Sequence, residues 1–418
     1  MTPHSFTNHL INNLNLFYKM TLTNGQRESL EEIKIWLSNR SGDDFFTLMG
    51  RAGTGKTTLL DYIVQYAKES LRFNIVCTAP TNKAVKVLSD KISHNKFRTI
   101  HSLLKIRPKR IKDKEVFVPD NSDDMKEEFF DLIIVDECSM VSEELLKLIR
   151  KKIRNKSTKV LFSGDIGQLQ PINEEISETF LFPSTELTEI VRHGDVISKS
   201  AEKVRCSGEI VEFNQIIHSP IIEWKRLNDV KEAFKNFPDN PDNIRVLCWT
   251  NENVRKWNKT LRKVILGYEP KEEFVVGEAI MAREACLNPM EQIILNNSEE
   301  GIILSVNEQK ECWDLRVRKM YGMDEVDLKV IKEDFIEEFN EILSDLANRK
   351  EWSEFWLYKK KYHDITHCMA MTVHKSQGST FNTVVADTPD ITKNYDLEER
   401  NQLVYVALTR ASNNIYLF

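Results

Sequence analysis

The stretch Gly50-Arg51-Ala52-Gly53-Thr54-Gly55-Lys56-Thr57 has the residue types and spacing that hold a polyphosphate. Glycines at 50, 53 and 55 let backbone N–H groups close around phosphate oxygens, with Ala52, Thr54 and Thr58 completing the cradle. Lys56 would reach the outer phosphates, and the Thr57 hydroxyl would offer magnesium an oxygen. The adjacent carboxylates Asp136-Glu137 suit the remainder of a phosphoryl transfer. Asp136 would hold the metal with Thr57, and Glu137 would orient and activate the attacking water. Gln168 has the reach to sense a γ-phosphate, and Arg192 and Arg410 are cations suited to stabilising the charge that develops. Gln26 is either a surface residue near a helix start or an amide that reads the adenine edge.

These residues need a scaffold, and the hydrophobic pattern supplies one. Phe45 to Met49 reads as a short buried strand before the glycine loop. Thr58 to Ala67 after it reads as a helix with Leu59, Leu60, Ile63 and Val64 on one face. A glycine loop between strand and helix puts the phosphates at a helix N-terminus, where the partial charge is positive. Asn74 to Ala79, Asp131 to Val135 and Lys159 to Ser163 are further apolar strands, the second running directly into Asp136-Glu137. A second α/β unit opens at Ile244 to Asn251, and the pattern resumes from Met371 through Val384, Leu408 and Tyr416. Between about 269 and 365 short alternating runs such as Gly301 to Val306 and Trp313 to Val317 read as a β insertion, with a charged helix from about 331 to 348. The basic run from Lys105 to Lys114, then Val116-Phe117-Val118, reads as either a solvated protrusion or a hairpin that props against a base pair.

In open α/β sheets ligands gather at the carboxyl ends of the strands. Thr81 and Asn82 stand at such a point after Pro80 and could donate to nucleic-acid phosphates, or Thr81 could simply cap a helix. The same two readings apply to the segment from Thr99 through His101 to Leu103.

Composition bounds the answer. The chain has 418 residues, room for two or three domains, with 29% charged residues and no apolar run long enough to span a bilayer. A net charge of −6 does not mark the whole surface for a polyanion, so any nucleic-acid contact must be a local groove. Seven cysteines, an odd number without a C-x-x-C pair, point to reduced thiols in a cytoplasmic compartment.

Taken in order, Gln26, the loop through Thr57, Pro80-Thr81, Thr99 to Ser102, Asp136-Glu137, Gly164-Asp165 with Gln168, Arg192, Val373 to Gly378 and Tyr405 to Arg410 resemble a superfamily 1 helicase. Asp136 to Met140 and Trp352 to Trp356 look like the Dda-like group within its RecD-like branch. The resemblance implies an α/β fold of two RecA-like domains in tandem, about 1–190 and 191–418, with ATP and Mg2+ in the cleft between them. It implies a hairpin wedge at about 104–129 and an SH3-like β insertion at about 269–365. It adds Gln377 and Gly378 to the ATP site, and sets Thr81, Asn82, His101, Thr250, Thr372 and His374 along a DNA track. Phe117 takes the wedge position, and Asn82 stands where the group has a histidine. The implied activity is ATP-driven 5′ to 3′ translocation on single-stranded DNA with strand separation at a junction. The implied protein is a monomer in a bacterial or phage-infected cell, meeting a single-strand-binding protein or replication and recombination proteins, with no membrane. A DNA-stimulated translocase subunit that does not unwind alone, and an RNA helicase, remain as alternatives. A metabolic P-loop kinase would leave the second α/β half without a role.

Overall fold

The computed structural model describes residues 22–418, except 40–41, 95, 112–113, 120–127, 154–156, 172–173, 192–195, 207–220, 238–239, 242, 291 and 321–323. Its first half carries strands β1 (Phe45–Gly50), β2 (Ile75–Ala79), β3 (Phe97–Thr99), β4 (Ile106–Ile111), β5 (Lys114–Pro119), β6 (Leu132–Val135), β7 (Lys159–Gly164) and β8 (Ser184–Leu187). Six of them form a parallel sheet in the order β3-β2-β6-β7-β1-β8. The strands read as unbroken apolar runs because both faces are covered. In β6, Leu132 and Ile134 face one core with helices Asn24–Ser38 and Lys56–Glu69, while Ile133 and Val135 face the other with helix Glu143–Ile153. Each such aliphatic side chain contributes roughly 1.5–3 kcal/mol by leaving water.

The second half repeats the plan with β9 (Ile222–Trp224) and β10 (Ile244–Cys248), and adds β11 (Ala279–Ala282), β12 (Cys286–Leu287), β13 (Ile293–Leu295), β14 (Glu300–Glu308), β15 (Cys312–Lys319), β16 (Glu325–Ile331) and β17 (Ile365–His367). It closes with β18 (Ala370–Thr372), β19 (Phe381–Ala386) and β20 (Ala411–Leu417). The order β18-β10-β19-β20-β9 is again parallel throughout. Between β10 and β18 the chain leaves this sheet and builds an antiparallel one, β16-β15-β14-β11-β17, around its own core of Ile280, Leu295, Val317 and Leu328. The predicted charged helix is observed at Ile336–Asn348.

Strands β4 and β5 pair antiparallel, so the basic run does form a hairpin, with Phe117 opposite Pro108. The Phe117 side chain lies outside the described residues. The antiparallel sheet is fastened to the second parallel sheet from inside. Arg245 on β10 is fully buried and reaches Glu300 on β14 with Nη2, 3.2 and 3.0 Å from the two carboxylate oxygens. Its Nη1 donates to the Cys368 carbonyl, and its guanidinium lies over the rings of Phe381 and Phe237.

Candidate nucleotide and nucleic-acid site

Strands β1 and β6 both end beside β7, which separates them. That order puts the glycine loop and the carboxylate pair about two strand spacings, ~10 Å, apart at one edge of the sheet. Gly53 and Gly55 have φ of 85° and 82°, values a side chain resists, and Gly55 is the N-cap of helix Lys56–Glu69. No side chain caps that helix, whereas Thr23, Thr81, Thr99 and Thr250 each cap theirs by accepting a backbone N–H. Leaving the first N–H groups of one helix without a side-chain acceptor, at a glycine loop, is what an anion site requires. Lys56 Nζ donates to the carbonyls of Gly50 at 2.5 Å and Arg51 at 3.0 Å.

Asp136 and Glu137 follow β6. Burial raises the Asp136 carboxyl above its usual range, opposed by the Ser163 hydroxyl, which donates to Oδ1 at 2.7 Å, and by the charge of Lys56. Burial raises Glu137 as well, and the strongest opposing charge is Arg410, contributed by the second half. Glu137 also has φ of 53°, left-handed for a side chain that gains nothing there sterically. Such strain of about 1–3 kcal/mol survives where surrounding structure imposes it, and it is concentrated at functional sites.

Arg410 caps the end of helix Leu397–Thr409 and is 6% exposed. Its Nη1 donates to Ser379 O at 3.2 Å and its Nη2 to Thr409 Oγ1 at 3.3 Å, while Nε has no partner. Gln168 is likewise buried with Oε1 unpaired. Gln377, from the second half, donates to Leu169 O at 3.1 Å and so braces the segment that carries Gln168. Arg192 lies outside the described residues.

Three predicted cofactor residues have engagements the sequence did not reveal. The Gln26 amide accepts from Thr23 N at 3.0 Å and donates to Thr54 O at 2.9 Å, so it joins a helix cap to the glycine loop. The Ala52 N–H points at Asp165 Oδ2, 3.1 Å away, rather than into the loop. Gly378 faces the first half: a Cβ there would sit 2.8 Å from Ala84 Cβ, and its φ is 71°.

Thr81, Thr250 and Thr372 stand at or just beyond the carboxyl ends of β2, β10 and β18, along one edge of both parallel sheets. Thr81 caps helix Asn82–Lys91, with Asn82 its first residue. The Thr250 hydroxyl donates to Asp390, whose carboxylate also takes the Trp249 and Thr250 N–H groups, and Thr372 Oγ1 accepts from Lys375 N. Burial pushes His101 down to about 4 against a hydrogen bond to Pro80, so it is neutral at pH 7. His374 is also pushed down by burial, with Glu399 3.4 Å from Nε2. Tyr405, Arg205 and Glu202 also reach this site; Tyr405 opens the motif segment that ends in Arg410, and no local signal in the sequence marks Arg205 or Glu202.

Comparisons with known proteins agree with this layout. The AAA domain family matches residues 21–215, and the UvrD-like helicase C-terminal domain matches residues 367–418. The ATP-dependent DNA helicase dda of Enterobacteria phage T4 is 28% identical, over 94% of this chain and 98% of its own length. The chain belongs to the superfamily 1 helicases, close to Dda. Among other helicases, ATP-dependent DNA helicase Pif1 of Campylobacter jejuni is 24% identical over 68% of each chain. The Bacteroides Pif1 helicase in complex with ADP-AlF3 and single-stranded DNA shares this helicase's fold, with a TM-score of 0.53 over 96% of this chain and 92% of that one at 17% identity. Among the described residues, no helix is long and apolar enough to cross a membrane.

Proposed function

We infer that the chain is an ATP-dependent DNA helicase that runs along single-stranded DNA 5′ to 3′ and opens duplex ahead of it. The observation that carries this reading is that second-half side chains close on the first-half site: Tyr405 donates to Asp165 beside the glycine loop, and the charge of Arg410 acts on the buried Glu137. A nucleotide bound on the glycine loop would put its γ-phosphate between them. Attraction of Arg410, and by family position Arg192, to that phosphate favours the closed cleft, and hydrolysis removes it. Differential binding of this kind is what shifts a two-state equilibrium.

We read residues 1–190 and 191–418 as the two RecA-like domains, with the β4–β5 hairpin as the wedge and the antiparallel sheet as the SH3-like insertion. Thr57 and Asp136 offer only oxygen donors beside a second carboxylate, a set that fits Mg2+. Bound there, the ion would neutralise charge on the phosphates. Lys56 would exchange the Gly50 and Arg51 carbonyls for phosphate oxygens. Glu137 would orient the attacking water. Gln168 would register the γ-phosphate by donating from its amide N–H groups, which leaves its unpaired oxygen to accept from the attacking water. Contacts from Thr81, Asn82, His101, Thr250, Thr372 and His374 to phosphates would carry no sequence information, so little sequence preference is expected.

ATP hydrolysis measured with and without single-stranded DNA, followed by unwinding of duplexes bearing a 5′ or a 3′ overhang, tests the reading. Strong stimulation with unwinding from the 5′ overhang is expected. Stimulation without unwinding from either end would make the chain a translocase or a subunit, and a response to RNA alone would change the substrate. In the same assays Lys56→Ala should leave no more than about 1% of the turnover, since a charge-assisted contact to the phosphates is lost. Phe117→Ala should reduce unwinding at least threefold more than translocation, about the effect of losing one base-stacking contact; equal losses would remove Phe117 from the wedge.

A further inference from the structure

The carboxylate of Asp165 is the point at which both halves hold the glycine loop. Asp165 follows β7 and is 1% exposed. Its Oδ2 accepts from the Ala52 N–H at 3.1 Å and from the Tyr405 hydroxyl. Its Oδ1 accepts from Gly167 N at 2.9 Å and faces Arg205 Nε at 3.8 Å. The Tyr405 oxygen is itself 3.2 Å from Ala52 N, so that one N–H is shared between the two oxygens. Tyr405 lies on helix Leu397–Thr409, and Arg205 on helix Val196–Cys206, whose Ile197, Ala201 and Val204 sit in the core of the second half. One turn earlier on that helix, Glu202 pairs with Arg51 of the glycine loop.

Every one of these groups is chemically committed. Tyr405 is 2% exposed, and burial together with the Asp165 charge pushes its phenol up, so it remains a protonated donor at any working pH. Arg205 Nε is buried without a hydrogen bond, so its charge is spent on Asp165 and Glu202. The Arg51–Ala52 segment of the loop is therefore held by Glu202 and Tyr405 of one half and by Asp165 of the other. If the halves part, Asp165 loses Tyr405 and Arg205 together, and the Ala52 N–H keeps a carboxylate held on its other oxygen by the Gly167 N–H.

We propose that Tyr405 and Arg205 are positioning residues which, through Asp165 and the Ala52 N–H, keep the glycine loop in its phosphate-holding shape only while the cleft is closed. Cleft opening then loosens the loop, so the movement that follows hydrolysis also speeds release of the nucleoside diphosphate. The proposal rests on the helicase reading above for the identity of the ligand.

The test is Tyr405→Phe in the full chain, which keeps the buried ring and deletes only the hydroxyl. Dissociation of a fluorescent ADP is followed by stopped flow with and without single-stranded DNA, beside kcat and KM for ATP. A lost hydrogen bond to a charged acceptor predicts ADP release about ten- to a hundredfold faster. KM should rise more than kcat falls, and the effect of DNA on ADP release should shrink. Asp165→Asn should act in the same direction, and the double variant should be no worse than the more affected single one, because both remove one linkage. Wild-type ADP release in Tyr405→Phe, or full additivity in the double variant, overturns the proposal while leaving the helicase reading in place. A wild-type chain that binds no ADP overturns both. An equal loss of thermal stability in Tyr405→Phe with unchanged release would assign the hydroxyl to packing, and that also overturns it.

Discussion

With Arg410 replaced by alanine, ATP turnover at saturating single-stranded DNA falls about a thousandfold, the lower end of what an arginine at a transferring phosphoryl group contributes. The size follows from the setting. The guanidinium is 6% exposed, so its charge acts through little water, and one of its N–H groups is buried without an acceptor. It already lowers the cost of ionising Glu137 in a site that burial otherwise makes hostile to charge. Arg410→Lys should recover little, because the three donors of an ammonium radiate from one nitrogen and cannot reproduce the planar fork that reaches Ser379 O and Thr409 Oγ1 from separate nitrogens. ADP affinity should change far less than turnover in both variants, since the γ-phosphate is what the group serves. Steady-state hydrolysis and ADP titration separate the two quantities. A loss in turnover below about tenfold would take Arg410 out of the chemistry.

The second large effect concerns stability. Arg245→Ala should lower the free energy of unfolding by about 3–5 kcal/mol, the usual penalty for breaking a buried ion pair from one side. It leaves the Glu300 carboxylate, itself 3% exposed, inside the protein without its guanidinium, and it frees the Cys368 carbonyl. The double substitution Arg245→Met with Glu300→Met should restore most of the loss, since two apolar side chains leave no buried charge to neutralise. Urea titration of the three variants reads both predictions. If the single variant is within about 1 kcal/mol of wild type, the pair does not fasten the antiparallel sheet to the parallel one.

The parts of the site that were legible in the sequence are those that phosphoryl transfer requires to be contiguous. A glycine loop ending in Lys56-Thr57 and an apolar strand ending in Asp136-Glu137 announce themselves because each is built from neighbours in the chain. The same holds for helix Lys56–Glu69, whose buried face is Leu59, Leu60, Ile63 and Val64 as the spacing predicts. Where a local and a distant role compete, the structure shows the local bond: Thr81 and Thr99 both cap helices. Tyr405 with Asp165 and Arg245 with Glu300 were illegible for the opposite reason. Each pair is joined only by the topology of two sheets, and no periodicity in either segment points at its partner. The composition pointed away from the second pair too, since a buried arginine and a buried glutamate read as surface charge until the fold encloses them.

The order of strands has a consequence for how the chain acquires its shape. In the second parallel sheet β9 is held at the edge by β20 alone, Ile222 beside Ile415, about 190 residues apart. A ribosome therefore delivers β9, and then β10 and the whole antiparallel sheet, long before the strand that must lie beside β9 exists. The first sheet has no such wait, because all its strands fall between Phe45 and Leu187. During synthesis the nucleotide-loop half can be complete while the other still exposes a row of unpaired backbone groups on β19 and a bare apolar face. Loop closure over that distance is entropically slow. In a newly made chain the interval before β20 docks is when self-association and proteolysis compete best with folding.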